Sequence, residues 1–256
     1  MPSAQGDMML ASFAILNIPF HPPTDFGSNY EILLRWIHFV AAITWVGLLY
    51  FFNLVNMPLQ KQMDTSTKAK VNPTLLSLAL WWFRWGAVVT VLAGIAFWSR
   101  ITVLDARNHG YSASSVFGSF FLVWTVAFVI EQGVLMAGKG ALNRGVVLAV
   151  IFAVVLFAAA VIFLEWNSQV ENNRVLSIGV GGGLGWFMLL NVWGIVWRAN
   201  KRLIAWTRET AAAGPMPDKL ARMMRQAFIA SRANFFISFP MLFFMGAASH
   251  YPLFGR

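Results

Sequence analysis

The chain has 256 residues, of which 58% are hydrophobic and 11% are charged, and its formal net charge is +9. About a quarter of the residues are charged in a typical soluble domain, so this composition excludes that class and predicts an integral membrane protein. The basic residues lie in short loops beside apolar stretches, a pattern that orients membrane proteins, and we expect no nucleic-acid partner. The chain has no cysteine, which excludes disulfides, iron–sulfur clusters and covalently attached c-type haem.

Residues 1–29 are predicted to form a periplasmic or interfacial N-terminal segment. Within it, residues 8–20 are mostly apolar, but this stretch is too short to cross a ~30 Å hydrocarbon core. It also lacks the basic region that begins a signal peptide. A seventh span over residues 8–20 stays the alternative.

Residues 30–256 are predicted to form an all-α polytopic bundle of about six transmembrane helices. The first, residues 30–58, is almost uniformly apolar and would be ~40 Å long at ~1.5 Å per residue, enough to cross a bilayer. The fifth span contains a glycine-rich run at 179–185, which favours close helix packing over a nucleotide-binding loop because no strand precedes it. The spans after the first are predicted near 74–98, 114–138, 145–165, 177–198 and 228–250.

The charged loops predict how the bundle is oriented. Lys and Arg are concentrated after the first, third and fifth spans, and loops rich in these residues stay in the cytoplasm. Both termini are then periplasmic, and we expect the protein in the inner membrane of a bacterium, surrounded by the lipid bilayer. The basic loop near 199–227 is predicted to contain two short amphipathic helices, over 201–213 and 218–227, that lie on the cytoplasmic membrane surface.

Two histidines predict a cofactor site toward the periplasmic face. His38 lies in the outer half of the first span and His250 at the outer end of the last. Neutral imidazole is the usual axial ligand of b-type haem, which needs no cysteine. Arg35, one turn outward from His38, would meet a propionate, and small residues one turn inward leave room for a flat ring. The predicted cofactor-binding residues are Arg35, His38, Ala41, Ala42, Trp45 and His250, with His38 and His250 as metal ligands.

A simpler interpretation assigns neither histidine to a metal. His38 would hydrogen-bond a neighbouring helix, and His250 would cap the last helix in water. His21 and His109 are predicted on the same face, as solvated loop residues or as substitute ligands. The sequence leaves both interpretations open.

A second polar layer is predicted toward the cytoplasm. Arg84 on the second span and Glu131 on the third fall at similar depth with opposite charges, and buried charges in a bilayer are tolerated when they pair. We therefore predict an intramembrane ion pair between Arg84 and Glu131, at the level of Asn191 on the fifth span. A proton or substrate path is the alternative.

Several short motifs follow one another in the order of a known family. They are Arg35-Trp36-Ile37-His38, Trp45-Val46-Gly47, Trp82-Phe83-Arg84-Trp85, Asn191-Val192-Trp193, Ala230-Ser231-Arg232-Ala233-Asn234 and Ser249-His250-Tyr251-Pro252. Together they resemble the membrane domain of bacterial cytochrome-c-type urate oxidase (urate hydroxylase). The resemblance covers most of residues 30–256, and the stretch from 230 to 252 is its most specific part.

This resemblance implies a polytopic inner-membrane redox domain that passes electrons to a c-type cytochrome on the periplasmic side. The sequence is expected to be a shortened form without the C-terminal cytochrome c domain of that family. It would be an oxidoreductase or electron-transfer protein with b-type haem. The alternative is a non-catalytic structural subunit of a larger respiratory or photosynthetic membrane complex.

Overall fold

All regular structure within residues 21–138, 144–210 and 216–255, the part of the chain that the computed structural model describes, is helical. Two short π-helical segments, Phe51–Asn56 and Val192–Val196, each join two consecutive α-helices without a break. The helices are α1 (Phe26–Tyr50), α2 (Met57–Gln62), α3 (Thr65–His109), α4 (Ala113–Ala137), α5 (Gly145–Trp166), α6 (Asn173–Asn191), α7 (Trp197–Thr210) and α8 (Asp218–Ala247).

Six of the helical stretches in these ranges are long and apolar enough to cross a membrane. They are Phe26–Gln62, Thr65–His109, Ala113–Ala137, Gly145–Trp166, Asn173–Thr207 and Asp218–Ala247. The predicted all-α bundle of six spans is confirmed in this respect. Residues 1–20, which make up most of the predicted N-terminal segment, lie outside the described residues.

Helix ends follow local capping rather than the limits of apolar sequence. α1 begins at Phe26, four residues before the predicted start, because the side chain of Asp25 accepts a hydrogen bond from the backbone nitrogen of Ser28 at 2.8 Å. α3 is much longer than the predicted 74–98, since Asp64 caps its start. It ends where Gly110 takes the left-handed conformation, with φ of 75°.

The two amphipathic helices predicted in the basic loop are not separate surface elements. α7 continues directly from α6 through Val192–Val196, and α8 runs unbroken from Asp218 to Ala247. The sequence changes from apolar to polar along α6 and α7, and from polar to apolar along α8, so the amphipathic parts are extensions of the spans. The prediction of two separate short helices is therefore wrong, and α7 packs against α8.

α6 is the central helix of the bundle. Of its most apolar stretch, 72% is buried inside the protein, and it contacts α3, α4, α5 and α8. Its glycines make this possible, because a Cβ on Gly183 would collide with the Trp124 ring and a Cβ on Gly179 with the Phe163 ring. The predicted role of the glycine-rich run in close packing agrees with these contacts.

Candidate functional site

A cavity lies between α1, α3, α4, α6 and α8. It has a volume of about 170 Å³ in which the centre of a water molecule can be placed. On the same measure, a cavity of about 10–15 Å³ is large enough for one water. The space therefore suits a ligand of many atoms. Its wall is mainly apolar, and the polar side chains on it, apart from two tryptophans, are Arg35, His38, Thr90 and Ser249.

His38 is held in one orientation by α3. Its Nδ1 lies 2.8 Å from the backbone carbonyl oxygen of Thr90, which can only accept, so Nδ1 carries the hydrogen. Nε2 is then the nitrogen with a free lone pair, which is the form of imidazole that binds metals. Gly94 leaves room for the ring, because a Cβ there would lie 2.9 Å from Nδ1 of His38.

Two arginines lie around the ring of Phe97, which also lines the cavity. The guanidinium carbon of Arg35 is 5.7 Å from the ring centroid and that of Arg174 is 5.1 Å. Nε of Arg174 is buried without a hydrogen-bond partner, whereas Arg100 is bound by Glu31 at 2.7 Å. Two guanidinium groups, one of them short of an acceptor, suit the carboxylates of an anionic ligand.

Four of the six residues predicted for the cofactor line this cavity: Arg35, His38, Ala42 and Trp45. Ala41 does not line it, and its backbone carbonyl oxygen lies 3.5 Å from the place that a Cβ on Gly86 of α3 would take. His250 is exposed, and its Nδ1 lies 3.0 Å from the carbonyl oxygen of Gly246. The structure does not bring His250 to the cavity with His38: in the turn after α8, Ser249 lines the cavity, whereas the His250 side chain is exposed.

α8 places other possible ligand atoms on the wall. Met241 and Met245 of α8 line the cavity, as does Ser249 in the turn that follows the helix. A thioether opposite an imidazole is an established axial pair for haem iron. The two methionines were not predictable as ligands, because a methionine in an apolar span usually only fills space in the packing.

The predicted ion pair between Arg84 and Glu131 does not form. Neither residue belongs to the salt bridges found among the described residues, which are Arg100–Glu31 and His109–Asp105. The guanidinium carbon of Arg84 lies 3.7 Å from the centre of the Trp197 ring, a cation–π contact that replaces the ion pair. Arg84 and Glu131 were predicted at a similar depth, but similar depth does not ensure contact, because each side chain points toward a different neighbour.

Glu131 instead joins a cluster of amides. Its Oε1 accepts a hydrogen bond from Nδ2 of Asn191 at 3.3 Å, and the same nitrogen donates to Oδ1 of Asn234 at 2.9 Å. The hydrogen bond between Asn191 and Glu131 agrees with the prediction that Asn191 lies at the same depth as Glu131. Asn53 lies apart from these three, since its Nδ2 donates to Ser231 and to the carbonyl of Leu49.

The remaining histidines lie away from the cavity. His21 is exposed before α1. Nδ1 of His109 lies 3.2 Å from Asp105, which also accepts hydrogen bonds from Tyr111 and Asn172, each at 2.7 Å. Burial raises the pKa of the Tyr111 phenol, and the hydrogen bond to Asp105 raises it further. These contacts tie the α3–α4 turn to the start of α6 and assign His109 a structural role.

Residues 63–255 match the family described as urate oxidase N-terminal. The chain belongs to this family. The residues that match the urate oxidase N-terminal family include α3 to α8, and therefore every wall of the cavity except α1, which carries Arg35 and His38. No curated protein and no solved structure matches the chain.

Proposed function

We propose that this member of the urate oxidase N-terminal family is a membrane-bound redox protein that holds b-type haem in the cavity and passes electrons to a periplasmic c-type cytochrome. One observation carries the proposal. His38 offers an oriented imidazole with a free Nε2 on the wall of a cavity that suits a ligand of many atoms. Haem, when bound, supplies one-electron redox chemistry.

The donor atoms of the cavity fit haem iron. Nε2 of His38 is the first ligand in this proposal, and the hydrogen bond from Nδ1 to Thr90 keeps the ring in place and makes it a better donor. Met241 and Met245 are the candidates for the second ligand, since both residues line the same cavity and each carries a thioether. His250 is not a candidate on the basis of the structure.

Small residues leave space for a flat macrocycle. Gly182 and Gly185 of α6 lie on the cavity wall with Ala42 of α1. A Cβ on Gly185 would meet no atom within 4 Å, and one on Gly182 would first meet Cε of Met245 at 3.5 Å. The wall therefore has open space in front of Gly185, whereas Gly182 is within van der Waals distance of the flexible Met245 side chain.

Arg35 and Arg174 fit the two propionates. Both guanidinium groups are within 6 Å of the Phe97 ring centroid, so both lie beside the same ring of the cavity wall despite their like charges. A pair of carboxylates between them would supply the acceptor that Nε of Arg174 lacks. Arginine also binds carboxylates in a bidentate manner, which favours retention of the ligand.

The position of the cavity supports an electron acceptor on the periplasmic side. It lies in the half of the bundle that holds the N-terminal half of α1 and the C-terminal end of α8. The loop charges predict that this half faces the periplasm. An electron would then leave over a short distance to a c-type cytochrome docked on that face.

Electron transfer to an added cytochrome tests the proposal. The purified protein in lipid nanodiscs is reduced and mixed with oxidised c-type cytochrome, and the absorbance of the cytochrome is followed. We expect rapid reduction by the wild type and by His21→Ala, the matched control, and none above background by His38→Ala. Equal transfer by His38→Ala would contradict the haem site, and a wild type without any haem would favour the structural-subunit alternative.

A further inference from the structure

A buried polar cluster lies below the cavity, about 9 Å along α6 from Gly185 on the cavity wall. It consists of Glu131 of α4, Asn191 of α6 and Asn234 of α8, which are 1%, 0% and 1% exposed. Nδ2 of Asn191 donates to both of its neighbours, and Nδ2 of Asn234 donates to the carbonyl of Met188 at 3.0 Å. The amide orientations are therefore set by hydrogen bonds on three helices.

Two oxygen atoms of this cluster have no partner. Oε2 of Glu131 and Oδ1 of Asn191 are both buried without a hydrogen bond. They belong to the two side chains that already share the bond between Nδ2 of Asn191 and Oε1 of Glu131. If Glu131 were ionised, both oxygens would be acceptors without a donor, an expensive arrangement in a low-dielectric interior.

No cation among the described residues compensates a charge on Glu131. Its carboxyl has no ion-pair partner, and Arg84 of α3 lies over the Trp197 ring. On α8, Arg232 is two residues before Asn234 and so points away from the side that Asn234 faces. α6 contributes only Asn191 to this level, and the charged residues of α5, Arg144 and Glu165, lie at the ends of that helix.

We propose that Glu131 is a proton-binding site within the membrane span, where a proton on Oε2 is donated to Oδ1 of Asn191. One proton gives both unpartnered oxygens a hydrogen bond and removes the charge. The carboxylic acid of Glu131 and the amide of Asn191 then form a ring of two hydrogen bonds. Oδ1 of Asn234 accepts the second hydrogen of the Asn191 amide. The proton is taken from water, and no electron is transferred and no covalent bond to carbon changes.

The surrounding backbone gives the site a structural consequence. The π-helical segment Val192–Val196 begins one residue after Asn191, and such segments are frequent at functional sites. Loss of the proton would leave two acceptors facing each other between α4 and α6, and would loosen the contact that α8 shares through Asn234. A metal cation would need several more oxygen ligands than these two. The site does not depend on haem.

Infrared spectroscopy of the detergent-purified full chain tests the inference, because the C=O stretch of a protonated carboxyl group is separate from that of a carboxylate. Protein labelled with carboxyl-¹³C glutamate should show an isotope-shifted protonated-carboxyl band at pH 7. Glu131→Gln should lose this band and keep its fold, since the Gln amide donates where the acid did. The matched control Glu31→Gln should keep the band, because Glu31 is ion-paired with Arg100.

Asn191→Leu gives a second and independent readout. It removes the acceptor of the acid proton, so the band should remain but move to higher frequency. If Glu131→Gln yields no folded protein, the labelled wild-type band and its shift in Asn191→Leu decide the question. The inference would be overturned if the wild type lacked the band, or if the band persisted in Glu131→Gln. It would also be overturned if the band stayed unshifted in Asn191→Leu, or if it disappeared when Na⁺ replaced choline as the cation of the buffer.

Discussion

His38 becomes a candidate ligand through its neighbours rather than through its own chemistry. The Thr90 carbonyl assigns the hydrogen to Nδ1, and Gly94 leaves space for the ring. A histidine without such support would be free to rotate and to exchange its two nitrogens. The orientation of the imidazole is therefore a property of the contact between α1 and α3.

Filling the space at Gly94 should disturb the site without replacing a proposed ligand. A Cβ at this position would lie 2.9 Å from Nδ1 and 3.0 Å from Cε1 of His38, so Gly94→Val pushes the ring away from Thr90. We expect a several-fold loss of bound haem per protein, measured from the visible spectrum of the purified protein. Gly118→Val is the matched control, because a Cβ there meets nothing within 4 Å; an equal loss in both would contradict the role of Gly94.

Helical periodicity was sufficient to predict part of the candidate site. Arg35, His38, Ala42 and Trp45 lie on one side of one helix, and spacing alone places them together. Thr90 and Arg174 were not predictable in this way, because they come from other helices. Thr90 is 52 residues beyond His38, and Arg174 resembles an ordinary loop charge until the start of α6 is known.

At the scale of elements, the continuous path from α6 into α7 decides what Arg84 contacts. The π-helical segment carries the helix onward, and Trp197 at the start of α7 then lies 3.7 Å from the guanidinium carbon of Arg84. A desolvated cation–π contact is worth about 2 kcal/mol. This contact keeps Arg84 away from Glu131, although the two residues were predicted at a similar depth in the bundle.

A double-mutant cycle distinguishes this arrangement from an ion pair. Because Arg84 and Glu131 share no contact, the changes in unfolding free energy for Arg84→Met and Glu131→Gln should add to within about 0.5 kcal/mol. The measurement is unfolding in mixed detergent micelles. Arg100→Met with Glu31→Gln is the control cycle, where a real ion pair should couple by up to about 1 kcal/mol. Coupling above about 1.5 kcal/mol between Arg84 and Glu131 would restore the ion pair.

The number of spans was predictable from the sequence, whereas their ends and continuity were not. Apolar length fixes a span, because about 20 residues must cross the hydrocarbon core. α3 exceeds its apolar part because caps, not hydropathy, set where a helix ends. Pro73 lies inside α3, although proline ordinarily indicates a boundary. The continuity of α8 was likewise not predictable, because its polar first part packs against α7, and a local sequence pattern does not show such a tertiary contact.

At the scale of the whole molecule, the distribution of charge predicts toward which side of the membrane the cavity lies. The basic residues follow the first, third and fifth spans, and this arrangement predicts that the C-terminal end of α8 lies in the periplasm. Large apolar side chains on α5, such as Val146 at 78% and Phe157 at 73% exposure, suit contact with lipid. The proposed exit of electrons to a periplasmic partner depends on this orientation.

Reporter fusions test the orientation directly. A reporter that is active only in the periplasm should work when fused after Arg256 and fail when inserted near residue 213. A reporter active only in the cytoplasm should show the reverse pattern at the same two sites, which serves as the control. Periplasmic activity near residue 213 would place the cavity toward the cytoplasm and would rule out a periplasmic acceptor.

The visible absorption spectrum of the purified protein tests the central claim most directly. Protein from a haem-replete host should show a Soret band in the wild type, and His38→Ala should abolish or strongly reduce it. His250→Ala should leave it unchanged, because the structure places His250 outside the cavity, although the sequence predicted it as a ligand. A wild type without a Soret band, or a His38→Ala variant with the native spectrum, would contradict a haem site at His38.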